Sequence, residues 1–194
     1  AKGIGVHDGI LTDHAGKDTY IPAFDADGNQ WTMQYIAQDG SKRFAKGARK
    51  AGCFHPVGGM KALEQAPVIV VAEGYATAAT LSEALGQTVV VAFDSGNLLS
   101  VARALHQKYP DRPVVIAGDD DRHLELTQGI NPGRVKAEAA AAAVGGQAWF
   151  PVFAPDEQGY PEGLRPITPD LFWEHERARH QLDAASGSDA LTEQ

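Results

Sequence analysis

From Pro67 onward the chain alternates short apolar runs with helical patterns, and this alternation constrains the fold more than any other feature. The runs are Val68 to Ala72, Thr88 to Phe93, Pro113 to Gly118 and Gln147 to Phe153. Runs of this kind, bounded by Pro, Gly or Asp, read as strands buried on both faces. Ala76 to Leu85 reads as a helix that Gly86 can cap. A second helix presents Leu98, Leu99, Val101, Ala102 and Leu105 on one stripe, and Pro110 stops it. Asn131-Pro132 has the chemistry of a helix start, and an Ala-rich helix runs from there through Ala143 to Gly145-Gly146. Strands alternating with helices predict parallel pairing with right-handed crossovers, an α/β fold.

The first third has a different period. Thr19 to Phe24 reads as a strand, followed by the turn chemistry of Asp25-Ala26-Asp27-Gly28-Asn29. Gln30 to Ala37 alternates with Trp31, Met33 and Tyr35 on one face. Asp39-Gly40 makes a second turn, and a short strand leads to Phe44. This predicts a small antiparallel β subdomain over residues 1–65, ahead of a parallel-sheet domain over 66–153. Residues 1–18 read as a solvated, Gly-rich lead-in. Residues 154–194 read as a Pro/Gly-rich extension with one short helix near Asp170 to Gln181 and a disordered tail.

With 194 residues and 43% hydrophobic content the chain suits one ordinary domain plus an appendage. Cys53 is its one cysteine, which excludes an internal disulfide or an all-Cys zinc site and suits a reducing, cytoplasmic setting. His55 stands two residues on, but no orienting group accompanies the pair, so a buried thiol is the reading. No apolar stretch is long enough to span a membrane, and the start lacks a signal-peptide layout. The chain opens at Ala1 without Met, as a piece of a longer protein would. The net charge of −8 argues against tight non-specific binding of nucleic acid by the whole surface. Lys42, Arg43, Lys46, Arg49, Lys50 and Lys61 nevertheless form a basic cluster that no Asp or Glu interrupts between Ser41 and Leu63. Such a run is either a solvated loop or a contact surface for phosphates.

Two of the strands run directly into acids: Glu73-Gly74 after the first, Asp119-Asp120-Asp121 after the third. If both strands belong to one parallel sheet, the acids share the edge at which open α/β sheets bind ligands. A lone Glu there can simply face a helix dipole, and acids after a strand can simply solvate a turn. On an extended segment, however, Asp119 and Asp121 point the same way and Asp120 points away. Crowded carboxylates call for a counter-charge such as Mg²⁺, a site for phosphoryl chemistry.

Strand-Glu-Gly-Tyr, then strand with Gly96-Asn97, then strand-Asp-x-Asp resembles the Toprim domain over about Pro67 to Phe153. The resemblance implies a Toprim-like sheet, Glu73 as metal ligand or general acid/base, and Asp119 and Asp121 as ligands of Mg²⁺ or Mn²⁺. Gly96 and Asn97 would stand near the metal edge and the nucleotide. Thr77 departs from the aspartate that cellular primases usually carry four residues after the glutamate. A further acidic motif after the last strand would fall to Asp156 or Asp170. The upstream meander with Lys42-Arg43-Phe44 and Gly52-Cys53-Phe54-His55 is similar to the segment before Toprim in plasmid and phage primases. That resemblance implies a nucleotidyltransferase acting in DNA replication or conjugation. Lys42, Arg43, Lys46, Arg49 and Lys50 would hold single-stranded template or nucleoside triphosphate. The chain has no phosphate-binding G-x-x-x-x-G-K-[ST] loop, so a helicase or relaxase would be a separate domain or protein. A Toprim nuclease and a non-catalytic Toprim docking domain are the alternatives.

Overall fold

The computed structural model describes residues 7–152; Phe153, Asp156, Asp170, the short helix near Asp170 to Gln181 and the tail lie outside them. One compact unit holds the chain up to Asp120 together with Gly133–Phe150, and a second begins at Asp121 and includes the segment to Pro132.

The first unit contains two sheets. Strands β1 (Leu11–Thr12), β2 (Thr19–Phe24), β3 (Gln30–Ile36) and β4 (Lys42–Phe44) pair antiparallel in chain order. Leu11–Thr12 was expected in a solvated lead-in; it pairs instead with β2, and the Asp13 carboxylate accepts the backbone N–H of Lys17 and Asp18 to close the turn. The second sheet combines β5 (His55–Pro56), β6 (Ile69–Ala72), β7 (Val90–Val91), β8 (Val114–Ala117) and β9 (Gln147–Trp149) in the order β5-β7-β6-β8-β9. Only β5 is antiparallel; the other pairings are parallel, as the alternation predicts.

Helices α1 (Met60–Gln65), α2 (Tyr75–Leu85), α3 (Leu98–Lys108), α4 (Arg122–Gln128) and α5 (Pro132–Ala142) complete the described chain. Gly86 caps α2 in the left-handed conformation, with φ of 64°. The segment after the Asp triplet reads as a loop in sequence, yet it holds α4, which Gly129 ends in the same way. Alternate residues of the parallel strands enter two cores. Ile69, Val71, Val114 and Ile116 pack with Leu98, Val101 and Leu105 of α3 and with Ala137 and Ala140 of α5. Val70, Ala72, Val91 and Val115 pack with Ala78 of α2 and with Ile21 and Ala23 of β2. The antiparallel sheet thus covers one face of the parallel sheet beside α2.

Gly118, directly after β8, has no room for a side chain. A Cβ there would lie 2.5 Å from Ala137 Cβ and 2.6 Å from a Phe150 ring carbon. Its N–H donates to the Trp149 carbonyl at 2.9 Å, so the chain cannot shift away without losing a sheet bond. Gly118→Ala is expected to cost about 1–3 kcal/mol through overpacking, read as a melting midpoint several degrees lower. An unchanged midpoint would contradict this tight approach of β8, α5 and β9.

Candidate active site

The chain leaves β6 through α2 on one face of the sheet, and it leaves β8 toward α5 on the other. Adjacent parallel strands whose helices depart to opposite faces open a crevice at their carboxyl ends, the topological switch point where α/β sheets bind ligands. Glu73 and Asp119 stand at this crevice. Ala72 is in register with Ala117, so Glu73 follows one neighbouring strand end by one residue and Asp119 follows the other by two. Both are half-buried. Gly74, in extended conformation, is the N-cap residue of α2, so Glu73 precedes a helix start. Thr77 is exposed in the first turn of that helix.

Asp121 opens the second unit. It has turn dihedrals, φ −76° and ψ 52°, rather than strand dihedrals, and it is the N-cap residue of α4 without a capping side-chain bond. Its carbonyl accepts from the N–H of Leu124 and Glu125, and its own N–H donates to Asn131 Oδ1 at 3.0 Å. The extended geometry assumed for the whole Asp-x-Asp segment therefore ends before its last residue. The middle acid is also not turned to solvent. Asp120's side chain is 8% exposed and pairs with Arg134 at 3.4 Å, while that guanidinium lies 4.0 Å from the Phe150 ring centroid.

A third strand end joins this edge. Phe93, beyond β7, holds φ at 74°, a strained conformation for a bulky residue, and its ring packs edge-on against Phe44. The strain turns the chain into Asp94. The Asp94 carboxylate accepts the Asn97 N–H at 3.1 Å and forms an ion pair with Lys50. Asn97 is buried, and its amide serves the fold. Nδ2 donates to the carbonyls of Cys53 and Ala92, both at 2.9 Å, and Oδ1 accepts the Gly52 N–H at 2.9 Å. Asn97 is thereby a positioning residue that ties the basic loop to the carboxyl edge. Gly96 is exposed on the 3₁₀ turn Ser95–Asn97. Asp94's part was legible only as a repetition, since its apolar run ends in an acid as the other two do. Asn97's role as a clamp had no local signal at all.

The basic residues divide between two surroundings. Lys50 reaches the sheet edge through Asp94 and passes 5.7 Å from the Phe44 ring centroid. Arg49 lies over Trp31, 4.7 Å from the ring centroid. Arg43 sits opposite Tyr35 across β3 and β4, and Lys42, Arg43 and Lys46 are exposed. Cys53 is fully buried, and burial pushes its thiol pKa up, which leaves a packing thiol rather than a nucleophile.

Among the described residues no three His, Cys, Asp or Glu side chains gather closely enough to hold a metal ion. Glu73 and Asp119 follow adjacent strand ends of the parallel sheet, and Asp121 begins α4 in the second unit. The donor chemistry still suits Mg²⁺ or Mn²⁺. Hard cations of this size use one or two carboxylates, several waters and substrate phosphates rather than an all-protein cage.

Comparison with known proteins agrees with this architecture. Residues 68–159 match the Toprim domain family. A DNA primase TraC from Escherichia coli is 64% identical over 193 residues, which is 99% of this chain and 18% of that protein. A second Escherichia coli DNA primase TraC is 65% identical over 188 residues, 96% of this chain and 13% of that one. The chain therefore spans less than a fifth of the length of these relatives. The primase fragment of the bacteriophage T7 primase-helicase protein is similar in fold, with a TM-score of 0.50 at 19% identity over 74% of this chain and 56% of that one.

Proposed function

The chain carries a Toprim domain of the TraC primase kind, and from that premise we propose that it is the catalytic core of a plasmid or mobile-element DNA primase acting in replication or conjugation. The reaction is template-directed joining of nucleoside triphosphates with release of pyrophosphate. Residues 1–65 are the basic upstream segment, 66–153 the Toprim body, and 154–194 an extension. The observation that carries this reading is the pairing of Glu73 and Asp119 at the switch point, with a basic loop pinned to the neighbouring strand end through Lys50 and Asp94.

Glu73, Asp119 and Asp121 are the proposed ligands of Mg²⁺ or Mn²⁺. Bound there, the cation would neutralise the charge that develops during in-line displacement. The chain's own residues supply placement. Lys42, Arg43, Lys46, Arg49 and Lys50 attract template and triphosphate phosphates, and Gly96 leaves the turn beside them open to backbone approach. Asn97 and Asp94 keep that loop at the carboxyl edge. A helicase or relaxase, as another domain or protein, would open the template. Among the described residues no helix is long and apolar enough to cross a membrane. The proposed compartment is the cytoplasm.

Dinucleotide synthesis from labelled triphosphates on a single-stranded template, run beside a cleavage assay on labelled DNA, tests the reading. Product without cleavage is expected. Cleavage without product would make the chain a Toprim nuclease. Changing Lys42, Arg43 and Lys46 together to Ala should weaken both strand binding and joining, with a salt dependence shallower by about two in slope. Unchanged binding in that variant would reduce the cluster to a solvated loop.

A further inference from the structure

Strand β3 is built inside out. Its polar residues Thr32 and Gln34 are buried, whereas Trp31 is 48% exposed and Met33 and Tyr35 are only partly covered. The Thr32 hydroxyl is buried without a hydrogen-bond partner. A shift of one residue in register would turn Trp31, Met33 and Tyr35 into the core and release Thr32 and Gln34 to water. The hairpin forbids that shift. The Asp25 carboxylate accepts the backbone N–H of Asp27 and Asn29 and the Trp31 indole N–H, the last at 2.7 Å, so turn and indole are locked together. A fold that holds its register against hydrophobic burial keeps that aromatic face for something outside.

The same face runs across the sheet. Leu11 of β1 is opposite Tyr20 of β2, Tyr20 is opposite Tyr35 of β3, and Tyr35 is opposite Arg43 of β4. The Tyr20 and Tyr35 rings meet edge to face, with centroids 5.3 Å apart. Arg49 stacks on Trp31, and a shallow groove of about 210 Å³ runs between β3 and the loop at Ala45 and Ala48, lined by Trp31, Met33 and Tyr35. Rings and guanidinium groups side by side on an open sheet suit unpaired bases, whose flat faces stack while phosphates meet the cations.

We propose that the outward face of the antiparallel sheet, centred on Trp31 and Tyr35 and flanked by Arg43 and Arg49, binds single-stranded nucleic acid by base stacking. The identity of the occupant rests on the primase reading and on charge, since Arg43 lies opposite Tyr35 and Arg49 over Trp31, in a stretch without acids. The strand would thereby be gripped on the upstream sheet, apart from the carboxyl edge of the parallel sheet where joining takes place.

Anisotropy of a labelled twelve-residue oligothymidylate, compared with a deoxyribose-phosphate strand of equal length that lacks bases, tests this on the full chain. The wild type should prefer the base-bearing strand. Trp31→Ala and Tyr35→Ala should each weaken it about tenfold, leave the baseless strand within about twofold, and so remove the preference. Trp31→Phe should keep most of it, and circular dichroism should show all three variants folded. Equal binding of both strands by the wild type, or an undiminished preference in folded Trp31→Ala and Tyr35→Ala, would overturn the inference and leave the face to a protein partner. Base preference in a wild type that makes no dinucleotide would sink the primase reading alone. Joining by a wild type whose preference survives both alanine variants would sink the stacking face alone.

Discussion

Asp119→Asn is expected to cut template-directed dinucleotide synthesis by about a hundredfold or more while leaving the chain folded and able to bind a DNA strand. The substitution keeps the shape of the side chain and removes one negative charge from the end of β8. Groups that stabilise charge developing in a reaction are typically worth a factor of a hundred to a thousand. Asp119 lies beyond the last paired residue of its strand and contributes no side chain to either core. Its loss should therefore move the melting midpoint by no more than a few degrees. Strand binding should persist, because the basic and aromatic residues that would grip DNA stand on β3, β4 and the following loop. Titration with Mn²⁺, followed by its paramagnetic signal, should show weaker uptake in the variant. Joining at the wild-type rate would remove Asp119 from the active site. Loss of joining together with loss of fold would mean that the carboxylate serves the structure instead.

The second large effect is acid lability centred on His55. This residue sits on β5, is 1% exposed, and donates from Nδ1 to the Pro22 carbonyl at 3.0 Å. A carbonyl can only accept, so Nδ1 carries the proton and the neutral ring leaves Nε2 bare; that nitrogen is buried without a partner. Burial, helped by the nearby His7 and opposed by the Pro22 carbonyl, holds the His55 pKa down at about 4 instead of 6.5. Between these values the unfolded chain binds the proton and the folded chain does not, so folding stability rises with pH there. The stability is complete above pH about 6.5 and is lost as pH falls through about 4. The full difference is at most about 3 kcal/mol. Asp25 acts lower on the scale. The Trp31 indole N–H, with the Asn29 and Asp27 bonds, outweighs desolvation and holds its pKa at about 2 against 3.8. Its contribution is present above pH about 3.8 and fades as pH falls toward 2. Denaturant melts at pH 7 and pH 4.5 should therefore differ strongly in the wild type. The difference should shrink by most of its size in His55→Gln, which has nothing to protonate. An equal pH dependence in both proteins would show that His55 is not the group responsible.

The secondary structure of the parallel half was legible because its signals are local. Apolar runs bounded by Pro and Gly give buried strands, the stripe from Leu98 to Leu105 gives α3, and Gly86 gives a helix end. The positions of Glu73 and Asp119 at one sheet edge followed, since parallel strands carry their carboxyl ends together. Other features depended on contacts distant in sequence. The strand β5 exists through pairing with β7, and two residues of His55-Pro56 carry no period of their own. The helix α4 begins where Asp121 leaves the extended conformation, which breaks the alternation assumed for Asp-x-Asp. Asp120 faces Arg134 because α5 brings it there.

The period of β3 was plain in sequence, but its direction was not. Alternation places Trp31, Met33 and Tyr35 on one face, and hydrophobicity alone would bury them. The tertiary structure turns them outward, because the Asp25 turn fixes the register and the inner face is filled by Ile21, Ala23 and Phe44. Sequence by itself determined β2 to β4, the parallel strands β6 to β9, helices α2, α3 and α5, and the acids that end the strands, since these follow from local backbone and side-chain chemistry. Only the tertiary structure decided which face of the antiparallel sheet meets water and which strand end receives Lys50, since both depend on packing between segments far apart in the chain.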